Sequence, residues 1–386
     1  MSTAEATHAR DGLRAVIVPS VSILDRHAWD ALVTDGDFYN CHGWLSALEY
    51  ALGPAELLTL HGPSGLSGGC ALWSGERGPG LFCLPEYFPD LAAPWRREFL
   101  WIGARRSTHN EIPCAFGHGR GRIMRALLHA AADLAETRGL AGVVVPYMPL
   151  GQAVELAAGH NEARVILHAA DTSLTVPTDG LTGVMSTMDK HSRWRIRKEL
   201  SVFAEHGSRV EWRTFDPELE WVASELIAQN RAKYGSLQGT LWMRRMLEGQ
   251  RRSGVLDSAI AAVAYRGDSI VAITVFYRFG KTLHCRYFGS DYAVTDDDAR
   301  YFVLSFYAPL DWAAEQGIET VELSTSSLQA KSLRGGMVNP LAAVVLLTDA
   351  TPPPHEAVTQ HNVRFAMEHQ EAFKHRLSSD WNLIYS

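Results

Sequence analysis

The sequence predicts an α/β protein of two similar domains in tandem, each a mixed sheet with flanking helices. One order of elements, meander then helix then strand, occurs twice along the chain, which is the mark of a duplicated unit. In the second half, residues 260–265, 270–276 and 283–288 are strand-like runs rich in β-branched and aromatic residues, broken at Gly267-Asp268 and Gly280-Lys281. A helix follows with Phe302, Phe306, Leu310 and Ala313 at helical spacing. Gly317 closes it, and residues 318–324 read as a buried strand. In the first half, residues 56–61, 70–73 and 81–84 form the corresponding runs, broken at Gly62-Pro63 and Gly78-Pro79. The helix over 121–138 carries Met124, Leu127, Ala131 and Leu134, ends at Gly139 and leads into Val143-Val144-Val145. A length of 386 residues suits two domains of about 150–200 residues. Pro177-Thr178-Asp179-Gly180 marks the boundary, giving domains 1–178 and 179–386, and residues 55–147 and 257–348 are expected to be two copies of one topology.

Composition narrows the class. With 46% hydrophobic and 20% charged residues, the chain has ample core. No N-terminal apolar segment follows a basic patch, and no run approaches the roughly 20 apolar residues of a membrane span, so a cytoplasmic protein is expected. Cys41, Cys70, Cys83, Cys114 and Cys285 are odd in number and show no Cys-x-x-Cys spacing, which indicates reduced thiols rather than a zinc site or a disulfide framework. The helix expected over 356–376 is dense in His and Glu without a His-Glu-x-x-His pattern, so no metal site is read there. A formal charge of −7 argues against wholesale nucleic-acid coating and leaves room for a local basic groove.

Taken in order, residues 1–12 are polar and expected to fray, 13–18 read as the first strand, and 23–32 and 43–52 as helices. His42, at the start of the second helix, is either a catalytic group or one that caps or packs. Residues 85–89 read as a pocket lining or a packed loop. Gly117, Gly119, Arg120 and Gly121 open the helix of the first repeat as a possible phosphate loop, where backbone N–H groups can approach an anion. A flexible loop explains the same letters, and the spacing is not the dinucleotide fingerprint. Asp296-Asp297-Asp298, in the equivalent place of the second repeat, cap a helix well but repel a diphosphate.

Asp189 caps a helix running to about His206. Lys190, Arg193 and Arg197 share one of its faces, with Trp194 available to stack and Arg195 and Lys198 widening the patch. Such a face fits a phosphodiester backbone or a nucleotide phosphate, or is simply solvated. Helices are expected over 217–233 and 241–251. After the strand at 318–324 come Ser324-Thr325-Ser326-Ser327 and Lys331-Ser332-Leu333-Arg334-Gly335-Gly336. A cationic turn at the carboxyl end of a strand is either where an open sheet puts its ligand or a solvated turn.

These features, above all residues 301–310 through Ala330-Lys331-Ser332-Leu333-Arg334-Gly335, resemble the Fem family of aminoacyl transferases. They are similar too to the Fem-like peptidoglycan biosynthesis or recognition proteins, some of which occur in natural-product pathways. The resemblance implies two tandem GNAT-like domains and transfer of an acyl group onto an amine. The donor implied is the aminoacyl group of a charged tRNA, and the acceptor a cell-wall precursor, a natural-product intermediate or another nucleotide-linked amine. No cofactor is implied. Lys331 matches the family's lysine near the reacting ester, where a fixed ammonium stabilises a tetrahedral oxyanion. Arg334 is expected to hold a phosphate bidentately, and Ser324 and Ser326 to border the donor. The coiled-coil arm of some Fem enzymes is not evident, and the acyl-CoA glycine loop is missing from the second repeat. An acyl-CoA enzyme using the glycines of the first repeat, and a recognition protein without turnover, stay open as alternatives. No Gly-x-Ser-x-Gly elbow suggests a serine nucleophile.

Overall fold

The computed structural model describes residues 6–10, 12–75, 82–294 and 297–385. Gly78-Pro79, Leu81 and Asp296, which the sequence reading used, lie outside them. β1 (Ala6–Arg10) and β2 (Leu13–Val18) pair antiparallel, so residues 6–10 form a strand where a frayed end was expected. Asp25 caps α1 (Arg26–Asp30) through Ala28 N at 2.8 Å, and α2 (His42–Leu52) follows with its apolar side on the sheet. β3 (Glu56–Gly62) and β4 (Gly65–Ser74) form a hairpin. The third strand of this meander is not at 81–84: Pro85 sets up the short helix α3 (Leu84–Tyr87), and the strand is β5 (Leu100–Ile102), fifteen or so residues on. Next come α4 (Arg120–Thr137), β6 (Gly142–Pro149), α5 (Leu150–Ala157) and β7 (Arg164–Thr175).

The second half begins with α6 (Gly180–Ser186) and α7 (Lys190–Glu205), whose cap is Asp189 through His191 N and Ser192 N. β8 (Ser208–Arg213), α8 (Pro217–Lys233) and α9 (Thr240–Arg252) lead to the meander β9 (Ala259–Arg266), β10 (Ser269–Phe279) and β11 (Thr282–Ser290). The next helical stretch is α10 (Arg300–Phe302), a π-helical turn at Val303–Tyr307 and α11 (Ala308–Glu315). Gly317, at φ 67°, ends it, and β12 (Thr320–Glu322), α12 (Leu328–Ser332), β13 (Met337–Leu347) and α13 (His355–Phe373) complete the order.

The chain forms two compact units, 1–171 with 339–386, and 172–338. The first has strand order β1-β2-β3-β4-β5-β6-β13-β7, the second β7-β12-β11-β10-β9-β8, each containing its own part of β7. Each unit holds one parallel pair, β5–β6 and β11–β12, next to an antiparallel meander and with a helix between the paired strands. The expected duplication is therefore present, but residues 339–386 group with the first unit rather than with 179–338. The reason is pairing and packing. β13 runs antiparallel to β6, with Val344 opposite Val145 and Val345 opposite Val144. Helix α13 closes the outer edge of β7, where Asn362 Nδ2 donates to Val165 O (2.9 Å), Asn362 Oδ1 accepts from Leu167 N (2.9 Å) and His361 Nε2 donates to Leu167 O (2.8 Å). Leu341, Val345 and Val358 join Trp73, Phe88 and Trp101 in the core of this unit. The second unit packs α7, α11 and the π turn on β10 and β12 through Ile196, Phe203, Phe276, Phe306, Leu310 and Val321.

Candidate functional site

The parallel pairing of β11 with β12 ends at His284 opposite Glu322. Two residues later Ser324 adopts φ 66°, and Ser327, the cap of α12, adopts φ 55°. Both are costly left-handed conformations for a residue with a Cβ, which the surrounding bonds must sustain. Together they fold the turn back on the strand end and bury Lys331, 2% exposed, beneath it. Lys331 Nζ donates to Leu323 O and to Ser324 O (2.8 Å), while Thr172 Oγ1 also donates to Ser324 O (3.3 Å). Burial pushes the neighbouring Cys285 thiol up to about 12, and the Lys331 charge acts the other way. Burial likewise raises the Tyr301 phenol, which hydrogen-bonds Ser327.

Arg334 ends the same turn and is 5% exposed. Its Nε donates to Glu199 Oε2 (3.0 Å) and Tyr307 Oη (2.9 Å), Nη1 donates to Ala330 O (2.8 Å), and Nη2 pairs with Glu199 Oε1. The guanidinium also lies 3.3 Å over the Phe302 ring. Instead of facing a phosphate, Arg334 fastens the Lys331 turn to α7 and to the π turn. Burial and the Glu199 carboxylate raise the Tyr307 phenol, whose O–H donates to Glu199 Oε2. Glu199 was missed in the sequence. Its signal is its place as a single carboxylate among five cations from Lys190 to Lys198.

Elsewhere on α7, Lys190 and Arg197 are exposed, as is Trp194 at 55%, with Lys198 Nζ 5.2 Å from its ring. Arg193 is half-buried and turns back, its Nη1 donating to Met188 O at 2.5 Å. The outward basic face is thus Lys190, Trp194, Arg197 and Lys198, without Arg193. Ser326 is exposed beside the turn.

In the first unit, Gly117 adopts φ 101° and Gly119 caps α4 with no side-chain bond. A Cβ at either would meet nothing within 4 Å, so the loop is open. Arg120 is drawn away to Glu155 on α5, Nε to Oε2 3.3 Å. His42 Nε2 hydrogen-bonds Val21 O at 3.0 Å, the packing alternative for that residue. A buried polar network that the sequence did not announce lies at the end of β5. Asn110 Nδ2 donates to Ile102 O (2.9 Å) and Pro146 O (3.2 Å), and Asn110 N donates to Tyr147 O (3.0 Å). Beside it, His109 lies between Asp171 (Nδ1 to Oδ2 3.0 Å) and Glu111 (Nε2 to Oε1 3.3 Å). Burial works against the His109 charge, but the bonds to Asp171 and Glu111 outweigh it and hold the imidazolium well above its usual range. Burial, and then the Glu111 charge, raise Asp37, whose carboxylate accepts from Asn40 Nδ2 at 2.9 and 2.8 Å. Among the described residues no group of three His, Cys, Asp or Glu side chains forms a metal site, and no helix is long and apolar enough to cross a membrane.

The FemAB-like family model, described as peptidoglycan biosynthesis/recognition, matches residues 111–376, more than half of the chain. No curated protein matches the sequence. Among solved structures the chain is similar to FemX, with a TM-score of 0.57 at 10% identity, covering 84% of this chain and 96% of that one. It is similar to a conserved protein of unknown function from Bacteroides thetaiotaomicron VPI-5482, with a TM-score of 0.57 at 13% identity, covering 85% and 97%. At such identities the structural likeness is one of fold, and it agrees with the α/β class and duplicated plan expected from the sequence. The chain belongs to the FemAB-like family of peptidoglycan biosynthesis/recognition.

Proposed function

We propose that the chain is an amide-forming N-acyltransferase that moves an aminoacyl group from a charged tRNA to the amine of a cell-wall precursor or natural-product intermediate in the cytoplasm. The observation that carries the reading is the Lys331 ammonium, buried and fixed at the end of the β11–β12 pair. In aminolysis the acceptor nitrogen attacks the ester carbonyl, a C–N bond forms, the C–O bond to the tRNA ribose breaks, and the proton lost by the nitrogen is balanced by protonation of the departing ribose oxygen. The intermediate carries an oxyanion, and a charge already held in place stabilises it without reorganisation. Arg334 and Glu199 position Lys331 by holding its turn against α7. Lys190 and Arg197 supply phosphate contacts and Trp194 a stacking surface, with Ser324 and Ser326 at the rim. A second reading, acyl-CoA as donor, is favoured by the open loop of Gly117 and Gly119 before α4, with Gly121 in the helix's first turn.

Donor identity separates the two readings. Incubation with charged tRNAs or acyl-CoAs and a panel of amines, followed by mass spectrometry, is expected to give amide product from the tRNA donor only. Lys331→Met is expected to bind donor and lose roughly 10²–10³ in turnover. Near-normal turnover in that variant overturns the role of Lys331, and product from acyl-CoA alone overturns the donor. A chain that binds the precursor and turns over neither donor is a recognition protein.

A further inference from the structure

We propose that the connection between α8 and α9 docks on an anionic membrane surface. The three most exposed large apolar side chains among the described residues all fall there: Tyr234 (77%) at the end of α8, Leu237 (101%) in the connection and Leu241 (79%) in the first turn of α9. Single exposed leucines are ordinary on a protein surface, whereas apolar side chains gathered at one place mark an interaction site. The connection is also built with its polar groups inward. Gly235 N donates to Ala232 O (3.0 Å) and Ser236 N to Arg231 O (3.0 Å). Arg231 Nη2 donates to Ser236 Oγ (3.3 Å) and to Gln238 Oε1, and its guanidinium lies 4.7 Å from the Trp242 ring. The two polar neighbours of Leu237 are thus tied to the end of α8, while Leu237 itself stands in water. A Cβ at Gly235 or Gly239 would meet nothing within 4 Å, so both flanks of Leu237 are open.

Charge selects the partner. Between Glu225 and Glu248 every charged residue is a cation, Arg231, Lys233, Arg244 and Arg245, in a chain whose formal charge is −7. Lys233 and Arg245 are exposed. Lys233 Nζ lies 4.0 Å from the ring of Tyr292 on the loop after β11, where the Asp291 carboxylate accepts from Ala293 N at 2.9 Å. Protruding leucines ringed by cations fit a bilayer that carries anionic headgroups: the leucines enter the headgroup and acyl boundary, and each cation adds attraction. A second copy of the same segment would bring like charges together. A nucleic acid would engage the cations but leave Leu237 and Leu241 in water, since its bases stack on aromatic rings. The attachment is peripheral, because among the described residues no helix is long and apolar enough to cross a membrane. None of these residues is assigned to acyl transfer.

Cosedimentation of the full chain with vesicles tests it, using phosphatidylcholine alone and phosphatidylcholine with phosphatidylglycerol in equal parts. Binding to the mixed vesicles is expected, weakening as salt rises, with binding to phosphatidylcholine alone lower by roughly tenfold or more. Leu237→Ser with Leu241→Ser is expected to lower partitioning onto the mixed vesicles by roughly tenfold or more. Lys233→Glu with Arg245→Glu is expected to lower it by about 25-fold or more, about fivefold for each charge. All four side chains are exposed, so both variants should melt with the wild type, which circular dichroism checks. No binding of the wild type to the mixed vesicles, equal binding to both kinds of vesicle, or undiminished binding by the leucine variant each overturns the proposal. A wild-type dimer that the leucine variant takes apart in analytical ultracentrifugation overturns it in favour of a second copy. Loss of tRNA binding without loss of vesicle binding in the charge variant overturns it in favour of a nucleic acid.

Discussion

The two parallel strand pairs end alike at the backbone and differently in the group that closes them. Past the last pair of β5–β6, Tyr147 turns left-handed at φ 55°, and past that of β11–β12 Ser324 does the same at φ 66°. In each case the carbonyls of this residue and the one before it accept from one shared residue, Pro146 O and Tyr147 O from Asn110, and Leu323 O and Ser324 O from Lys331. Asn110 closes the first opening with a neutral amide and its own backbone N–H, bridging β5 and β6 at Ile102 O and Pro146 O. Lys331 closes the second with a cation. An amide fastened to both strands fills the opening with structure. An ammonium held on the carbonyls of one strand end brings a full charge there. On the role proposed for Lys331, the first unit has a structural end and the second a chemical one.

Breaking the fastening of the charged end has the largest expected effect on stability. Glu199→Gln leaves the buried Arg334 without its ion pair, and a loss of roughly 3–5 kcal/mol is expected in the second unit. Hydrogen exchange, read separately over the two units, checks it. Slowly exchanging amides of β10 and β11 that stay as protected as in the wild type would show that Phe302, Tyr307 and Ala330 suffice to hold the turn.

Asn110→Leu is the matching cut in the first unit. It strands Ile102 O and Pro146 O in the interior, and about 1–3 kcal/mol of stability should be lost there. Turnover per folded molecule should be unchanged, in contrast to Lys331→Met. A variant that remains folded but loses catalysis would mean that the first opening takes part in chemistry.

A smaller effect is expected from pH. The folded-state pKa of His109 is raised, so its contribution is complete below its ordinary value near 6.5 and is lost as pH rises through the folded value. Melting temperatures of the wild type should therefore fall on the alkaline side, and His109→Gln should start lower and flatten that limb. An identical alkaline slope in the variant would remove His109 as the cause.

The smallest expected change concerns the outer face of α7. Lys190→Glu with Arg197→Glu should move stability by no more than about 0.5 kcal/mol per site, since both side chains are exposed. The same variant should weaken tRNA binding and reduce its salt dependence if this face meets phosphates. Unchanged binding at every salt concentration would return the face to solvent.

Local patterns carried much of the fold. The Asp189 cap, the helical spacing of Phe302, Phe306 and Leu310, and the β-branched runs of β9 to β11 each declare an element within a few residues. What the sequence hid is non-local. Three residues, Leu100-Trp101-Ile102, are too few to show a period, and the apolar letters near Leu84 read as the strand in their place. The pairing of β13 with β6 joins residues about two hundred positions apart, which no local window contains. His109, Asn110 and Glu111 have the letters of a surface loop, and only the meeting of β5, β6 and β7 makes them interior. For the site, the cationic turn was legible, but the partner that engages Arg334 sits 135 residues away on a helix that reads as basic.

The exchange of strands also sets a timetable for biosynthesis. β6 emerges with its hydrogen-bonding edge uncovered and gains β13 only after residues 172–338 have been translated. At ribosomal speeds of about 5–20 residues per second, that interval is on the order of ten seconds or more. Throughout it Val143, Val144 and Val145 present an apolar edge of the kind that recruits other chains. The nascent protein therefore carries its aggregation hazard in the earlier strand, and the window closes only when β13 arrives.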